Sequence, residues 1–433
     1  MAESIAKFAV YGNYIYYDGR IEYNKYLVVE NGIILDIIDK VTDNSINCIK
    51  RENSAIFPGF INTHTHIPMV FFRGLADDMP LMDWLKYHIW PAESKWLSDE
   101  FVYDATLLAA CELIHSGTTT INDMYFYSHK IAEAMIKSGL KSTIGIGVLD
   151  FPTKFAKNID DYLSQINILN KTINGNGLTK IAICPHSFYT VCPDNFLKCV
   201  SFAKKYDLLL HTHLSETEYE IKEIQKRYGK RPIELASELG LFDVKSIFAH
   251  CVHLTDEEIE ILGTKKANIS HCLESNLKLA SGFSPVKKLI DAGANVSIGT
   301  DGAASNNDLD MLSEISTVAK FHKGLNMDPT VMDAKTVIDM STINAARALS
   351  LSNTGILKKG FDADFFILSL DKAHLQPVYN ILSHLVYTAK SSDITDLFIK
   401  GKWVMQNGNI TTIDETTILK KAKNWSKKIL KYN

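Results

Sequence analysis

The chain has 433 residues, of which 46% are apolar and 22% are charged, a composition typical of a folded globular protein. The formal net charge of −4 argues against a general nucleic-acid or anionic-membrane binder, and no apolar run reaches the ~18 residues of a membrane span. Seven cysteines without a paired spacing, and a start without a signal-peptide pattern, favour a reducing cytoplasmic location. We therefore expect a small molecule as the partner.

Both ends of the chain are rich in predicted strands. Residues 25–39 carry apolar runs on either side of Asn31-Gly32, a dipeptide typical of β-hairpins. Residues 363–368 are also β-rich, and a second β-rich stretch, 396–405, is interrupted at Gly401. We expect residues 1–57 and 352–433 to form together a small β-sandwich domain.

The middle of the chain alternates short apolar runs with longer amphipathic segments, the pattern of βα units around a parallel sheet. Eight such runs occur, at 55–61, 118–121, 142–148, 180–184, 208–211, 246–249, 267–270 and 295–299. Eight strands in this arrangement favour a closed barrel over an open sheet. The sequence therefore predicts an α/β fold with a (β/α)8 TIM-type barrel as the catalytic domain, over residues 58–351.

Metal-ligating side chains follow three of these runs, at the ends where such barrels hold their active sites. His64 and His66 lie two residues apart, so their imidazoles point to the same side of a strand. His213 follows the fifth run and Asp301 the eighth. Three His and one Asp with an open position suit one divalent ion per subunit, Zn²⁺ or, as the alternative, Fe²⁺. Asp301 could instead cap a helix, and we expect His211 to lie deeper as a structural neighbour.

Three more polar residues follow runs of the predicted barrel. Glu216 could take a proton from an attacking water and hand it to a substrate, or it could be a solvated glutamate at a helix N-terminus. His250 could hydrogen-bond the reacting centre. His271 follows the seventh run, so we expect it on the same face as the metal ligands.

Several longer motifs resemble those of a known family. They are Pro-Gly-Phe-Ile-Asn-Thr-His-Thr-His at 58–66, His-Leu-Ser-Glu at 213–216, Ala-His-Cys-Val-His-Leu at 249–254, Ser-Asn-Leu-Lys-Leu-Ala-Ser-Gly at 275–282 and Gly-Thr-Asp-Gly at 299–302. With Phe-Arg-Gly-Leu-Ala-Asp-Asp at 72–78 and Trp-Pro-Ala-Glu at 90–93, they resemble the amidohydrolase superfamily. The match is narrower to its branch of 5-methylthioadenosine/S-adenosylhomocysteine deaminases and 5′-deoxyadenosine deaminases, over nearly the whole chain.

The resemblance implies a metal-dependent hydrolytic deaminase of purine nucleosides: 5′-methylthioadenosine, S-adenosylhomocysteine, 5′-deoxyadenosine or adenosine. It implies metal binding by the residues matching His64, His66, His213 and Asp301. It further implies that Glu216 is the proton shuttle and that His250, with Asp301, orients the attacking water. Glu93 and His186 match substrate-contacting positions, with Glu93 on the ribose hydroxyls, although Glu93 alone reads as a surface helix residue. We also expect a homodimer or homotetramer.

The segment 67–117 carries Trp84, Tyr87, Trp90 and Trp96. These side chains could form an aromatic roof that stacks on a flat purine and excludes water, with Trp84 as a substrate contact. The alternative is an ordinary amphipathic helix that packs its aromatic side chains on the barrel, and the two interpretations are compatible.

Two features separate this sequence from some relatives. The third predicted strand and the residues after it, 143–150, contain no Arg, whereas some relatives carry one there that suits a substrate carboxylate. Small 5′ substituents are therefore favoured, and Glu274 has no explanation in the sequence. Two alternative functions stay open: another aminohydrolase of the same scaffold, acting on triazines or guanine, and a non-enzymatic scaffold protein.

Overall fold

The computed structural model describes residues 7–431. The strands are β1 Lys7–Tyr17, β2 Arg20–Glu30, β3 Ile33–Ile38, β4 Asn47–Lys50, β5 Ser54–Pro58, β6 Phe60–Thr65, β7 Thr118–Tyr125, β8 Lys141–Val148, β9 Thr179–Pro185, β10 Leu209–Leu214, β11 Ser246–His250, β12 Asn268–His271, β13 Asn295–Ile298, β14 Phe365–Ser369, β15 Ile394–Ile399, β16 Lys402–Gln406 and β17 Asn409–Ile410. The α-helices are α1 Leu81–Trp84, α2 Trp90–Trp96, α3 Asp99–His115, α4 Ser128–Ser138, α5 Ile159–Ser164, α6 Ile166–Ile173, α7 Pro193–Tyr206, α8 Glu218–Tyr228, α9 Pro232–Glu238, α10 Asp256–Thr264, α11 Leu273–Lys278, α12 Val286–Ala292, α13 Met311–Asn326, α14 Ala334–Met340, α15 Ile343–Ala348, α16 Ile381–Tyr387 and α17 Glu415–Leu430. Short 3-10 turns lie at Ile67–Phe72, Leu241–Asp243, Ala373–Leu375 and Ser391–Asp393, and a π-helical turn lies at Leu85–Ile89.

Strands β6 to β13 form one parallel sheet in chain order, which confirms the predicted eight-stranded barrel. The first predicted run, 55–61, is wrong as a single strand, because it divides at Gly59. β5 pairs with β14 in the second sheet, and β6 opens the barrel. A Cβ atom at Gly59 would lie 2.0 Å from Cγ2 of Thr119, so only glycine fits where the chain passes between the sheets.

The first and last barrel strands meet through side chains. Thr63 Oγ1 donates to the Ile298 carbonyl at 2.9 Å, and Asn62 Nδ2 donates to Thr300 Oγ1 at 2.7 Å. A Cβ atom at Gly299 would lie 2.7 Å from the backbone nitrogen of His64, so the two chains can approach this closely only with glycine there. The seam therefore brings the residues after β13 against the end of β6.

The remaining strands, from both ends of the described chain, form one mixed sheet. Its main path is β17-β16-β15-β14-β5-β1-β2-β3, and β4 pairs with β1. The hairpin predicted at Asn31-Gly32 is confirmed, since both residues have left-handed φ values of 50° and 77° between the antiparallel β2 and β3. The predicted fold class, a barrel with a small second β unit from both termini, is confirmed.

Side-chain caps start several helices next to the site. Ser98 accepts from the Phe101 N–H at the start of α3, Thr217 caps α8, and Asp310 caps α13. The last helix, α17, packs on the barrel helix α3, where Trp425 Nε1 donates to Asp104 at 3.1 Å.

The proposed domain boundaries, at 57/58 and 351/352, stay a prediction. Within residues 7–431, no helix is both long enough and apolar enough to cross a membrane.

A buried ion pair ties the barrel to the second sheet. Lys141, the first residue of β8, places Nζ 2.5 Å from Asp364 and 2.6 Å from Asp362. Asp364 is 2% exposed and also accepts from Thr354 Oγ1 at 2.7 Å. Removing the ammonium would leave a buried carboxylate without its counter-charge, which is strongly unfavourable.

We predict that Lys141→Met lowers the free energy of unfolding by about 3–5 kcal/mol. The control is Lys222→Met, which breaks the exposed pair with Glu218 and should cost at most about 1 kcal/mol. Urea or thermal unfolding of both variants measures the difference. Equal losses in the two variants would contradict the structural role of this pair.

Candidate active site

Four side chains predicted as metal ligands meet at the C-terminal end of the barrel. His66 Nε2 lies 3.2 Å from His213 Nε2, and Asp301 Oδ1 lies 3.2 Å from Nε2 of both His64 and His66. Ligand atoms bound tetrahedrally at ~2.1 Å around one zinc ion stand about 3.4 Å apart. The spacing of these donor atoms therefore suits a single divalent cation.

His250 belongs to the same cluster. The ligand atoms of His64, His213, His250 and Asp301 all lie within 4.8 Å of one another, so these four could hold a metal ion. His64 Nε2 is buried and faces Asp301 Oδ1 at 3.2 Å, so a cation bound to both atoms would satisfy them. The chemistry of the set, imidazoles with one carboxylate, is that of zinc and iron sites.

Contacts behind the imidazoles orient two of them. His66 Nδ1 lies 2.6 Å from the Met124 carbonyl, and His213 Nδ1 lies 2.8 Å from the His186 carbonyl. A carbonyl only accepts, so each Nδ1 carries a proton and each Nε2 faces the cluster. His211 lies behind His64, with its Nε2 2.9 Å from His64 Nδ1, as a structural neighbour.

The electrostatics favour a positive charge in the cluster. Burial alone would raise the pKa of Asp301, but hydrogen bonds and charge interactions with His64 and His66 hold it well below its usual value. Burial lowers the pKa of His64 to about 4. Burial is the largest influence on His66 and opposes its protonation. The hydrogen bond to Asp301, the charge of Asp301 and the Met124 carbonyl together outweigh burial and raise the His66 pKa to about 9. Asp301 is not a helix cap, because Asp310 caps the next helix.

Glu216 lies beside the cluster and is 6% exposed, not the solvated glutamate considered as the alternative. Its Oε2 lies 3.9 Å from His250 Nε2, and its Oε1 accepts from Ser281 Oγ at 3.4 Å. Burial raises the pKa of Glu216, while His250 opposes the rise. The carboxyl can therefore hold and release a proton next to the candidate metal ligands.

Two buried hydrogen bonds from Glu220 support the backbone here. Its carboxylate accepts the N–H groups of Ser215 at 3.0 Å and Glu216 at 2.8 Å. Ser215 has a left-handed φ of 55°, which turns the chain out of β10. Glu220 therefore holds the turn that presents Glu216, a role the sequence did not reveal.

A cavity opens above the cluster. The predicted substrate-contacting residues Trp84, Glu93, His186, Glu216 and Asp301 all line it. Most of the rest of its wall is apolar, as expected for a site that holds a flat ring.

Two further polar residues line this cavity. Glu93 on α2 accepts from the Tyr125 hydroxyl at 2.5 Å, and burial raises its pKa to about 7. The carboxyl faces the cavity, unlike that of an ordinary surface residue. His186 Nδ1 lies 3.0 Å from the hydroxyls of Ser187 and Thr190, and burial lowers its pKa to about 3, so the ring is neutral.

The aromatic roof is smaller than predicted. Trp84 is 4% exposed, donates from Nε1 to the Ala76 carbonyl at 3.1 Å, and lines the cavity with Trp90. Tyr87 is 70% exposed and does not line the cavity. Both Trp side chains come from the segment around the π-helical turn, where one extra residue shifts the direction of the side chains.

The expectation for His271 is wrong. Side chains alternate along β12, and it is Ser270 that points inward, 2.6 Å from Thr63 Oγ1. His271 points outward to α13, with its Nε2 3.0 Å from that of His322. Glu274 now has a structural role, because its Oε1 accepts from Ser313 and Thr317 on the same helix.

Known proteins resemble this chain over most of its length. The Amidohydrolase family profile matches residues 55–404. The 5-methylthioadenosine/S-adenosylhomocysteine deaminase of Thermodesulfovibrio yellowstonii is 48% identical over 413 residues, 94% of each chain. The 5′-deoxyadenosine deaminase of Methanocaldococcus jannaschii is 45% identical over 380 residues, 86% of this chain and 89% of the relative.

A solved structure is similar as well. The crystal structure of a zinc-bound adenosine deaminase from Xanthomonas campestris superposes with a TM-score of 0.94 at 34% identity, over 98% of this chain and 99% of the other. The resemblance seen in the motifs is confirmed, and the chain belongs to the amidohydrolase family.

Proposed function

We propose that this protein is a metal-dependent hydrolytic deaminase that converts the adenine of 5′-modified adenosines to hypoxanthine and releases ammonia. The observation that carries the proposal is the buried Glu216 carboxyl next to His250, at the floor of an apolar cavity that also contains Asp301. The names of the relatives point to the same substrates.

We propose one Zn²⁺ per chain, held by His64, His66, His213 and Asp301, with Fe²⁺ as the alternative. The donor spacing supports one ion, and a zinc-bound structure similar to this chain favours zinc. A bound divalent ion would act as a Lewis acid that makes water nucleophilic near neutral pH.

The side chains around the cluster can carry the protons. Glu216 takes a proton from the attacking water and delivers it to N1 of the purine, while the water oxygen bonds to C6. Asp301 and His250 accept hydrogen bonds that orient this water. Glu216 then takes the remaining proton from the C6 hydroxyl and passes it to the amino group. The C6–N bond breaks, the C6 carbonyl forms, and the amino group leaves as ammonia.

We propose that the cavity wall selects the nucleoside. Trp84 would pack on the base, His186 would contact the substrate, and Glu93 would accept from the ribose hydroxyls with Tyr125 holding its orientation. The cavity wall at residues 147–149 is apolar. Lys154 lies near this wall, but its ammonium already donates to the Lys95 carbonyl at 2.9 Å. Small uncharged 5′ substituents are therefore favoured over the amino acid of S-adenosylhomocysteine.

We also expect a homodimer or homotetramer, a cytoplasmic location, and no nucleic-acid or membrane partner. None of these affects the chemistry proposed for the cavity.

We predict that the zinc-loaded protein converts 5′-methylthioadenosine, 5′-deoxyadenosine and adenosine to inosine-type products. The adenine-to-hypoxanthine absorbance shift and the release of one ammonia per product measure the reaction. Guanine and melamine serve as comparison substrates for the two alternative aminohydrolases. Turnover of either one, with none of any adenosine, would overturn the proposal.

We predict that Glu216→Gln lowers kcat by about 100- to 10,000-fold, because the amide cannot shuttle a proton. Bound metal, measured by elemental analysis, should stay at one ion per chain. The control is Glu218→Gln, two residues along the chain, whose carboxylate is exposed and pairs with Lys222. Wild-type kcat in Glu216→Gln would contradict the assigned role.

We predict that Glu93→Gln raises KM for ribonucleosides by about 10- to 100-fold, since a charged acceptor for two hydroxyls is lost. The wild type should disfavour 2′- and 3′-deoxy analogues, and the variant should lose this discrimination. Glu133→Gln, which changes a partly exposed pair with Lys130 outside the cavity, is the control. A discrimination ratio unchanged by Glu93→Gln would rule out the ribose contact.

A further inference from the structure

One segment after β12 contacts three groups of the site through side chains that do not themselves line the cavity. It carries Ser275, Asn276 and Ser281, which are all at most 6% exposed. Each hydrogen-bonds a different residue of the proposed machinery, and these residues come from three different strand ends. We propose that Ser275, Asn276 and Ser281 are positioning residues that fix Asp301, His250 and Glu216, respectively. The roles of His250 and Glu216 in this inference rest on the proposed function.

The first contact orients the carboxylate of Asp301. Ser275 Oγ donates to Asp301 Oδ2 at 2.6 Å, and Ser305 Oγ donates to the same oxygen at 2.8 Å. Both hydroxyls therefore occupy Oδ2 and leave Oδ1 directed at His64 and His66. Hydrogen bonds behind a ligating carboxylate restrict its rotation and are the usual support of a metal site.

The second contact selects the form of the His250 ring. Asn276 Oδ1 lies 2.8 Å from His250 Nδ1, and an amide oxygen only accepts, so Nδ1 carries the proton. The Nε2 lone pair then faces Glu216 and the cluster, where it can accept from water. His250 also has a left-handed φ of 72°, a backbone conformation that is uncommon for residues other than glycine. The hydrogen bond from Nδ1 to Asn276 helps to hold the ring in this conformation.

The third contact reaches the proton shuttle. Ser281 Oγ donates to Glu216 Oε1 at 3.4 Å, a long bond that leaves Oε2 toward His250. The segment is anchored at this point, because the Ser281 carbonyl accepts from His253 Nε2 at 2.6 Å. Three residues on, Ser284 Oγ donates to a backbone group, the Cys251 carbonyl, at 2.9 Å.

The three contacts lie within seven residues of the chain. The segment therefore connects the ends of three barrel strands and fixes the positions of Asp301, His250 and Glu216 relative to one another. Ser284 is a matched control, since it is buried, lies on the same segment and bonds only backbone. A general loss of stability would act on all four variants, whereas positioning acts on one group at a time.

The first experiment measures zinc affinity by competition with a chelator, independently of any substrate. Ser275→Ala/Ser305→Ala should raise the zinc dissociation constant about 10- to 100-fold, because Asp301 loses both supports. Ser281→Ala and Ser284→Ala should stay within about twofold of the wild type, and Ser275→Thr/Ser305→Thr should recover affinity. Unchanged affinity in the double alanine variant, or an equal loss in Ser284→Ala, would overturn the role of Ser275.

The second experiment separates kcat from KM in zinc-saturated protein. Asn276→Ala and Ser281→Ala should lower kcat about 10-fold or more with KM within about threefold, while Ser284→Ala keeps both. Ser281→Thr should restore kcat. A kcat unchanged in Asn276→Ala and Ser281→Ala would overturn their roles. If the wild type binds zinc but deaminates no adenosine, the proposed function fails on its own, and the affinity measurement still decides the role of Ser275.

Discussion

The structure depends on one buried carboxylate, that of Asp301, which shares its Oδ1 with two imidazoles at 3.2 Å. Taking a carboxylate out of water costs several kcal/mol unless a positive charge and hydrogen bonds compensate. Here two serine hydroxyls donate hydrogen bonds to Oδ2. The negative charge at Oδ1, among the histidines, is compensated only when one positive charge is added there. A proton on His66 can supply that charge, and a divalent cation can supply it with more donors engaged.

This constraint explains features of the barrel that packing alone does not require. Glycine at 299 lets β13 lie against β6, which puts Asp301 beside His64. The chain leaves three strands with left-handed φ values, 55° at Ser215, 72° at His250 and 63° at Asp301. Such conformations cost about 1–3 kcal/mol each for residues other than glycine, and they persist where the surrounding structure holds them. All three lie at the site.

Local patterns predicted the barrel and the residues of the cluster. These patterns depend only on residues that are neighbours in the sequence: the eight apolar runs, the spacing of His64 and His66, and the Asn31-Gly32 turn. The rest depends on tertiary contacts. The strand break at Gly59 arises because the chain passes there from one sheet to the other. The outward direction of the His271 side chain is set by the register of β12. The π-helical turn that leaves Tyr87 exposed has no sequence signal.

The support of the site was the least predictable part. Ser275 lies in a short helix and Ser281 in the loop after it, where serine is common. Their roles come from contacts with Asp301 and Glu216, which lie 26 and 65 positions away in the chain. Family motifs included this segment, but a resemblance does not say what each hydroxyl contacts. The same holds for Glu220, whose role is a pair of backbone hydrogen bonds.

The central claim is that His64, His66, His213 and Asp301 hold one metal ion under the substrate cavity. Anomalous diffraction from crystals of the zinc-loaded protein, recorded on both sides of the zinc absorption edge, tests it most directly. The account predicts one anomalous peak in contact with these four side chains. A peak held by His250 in place of His66, or the absence of a peak at the cluster, would contradict it.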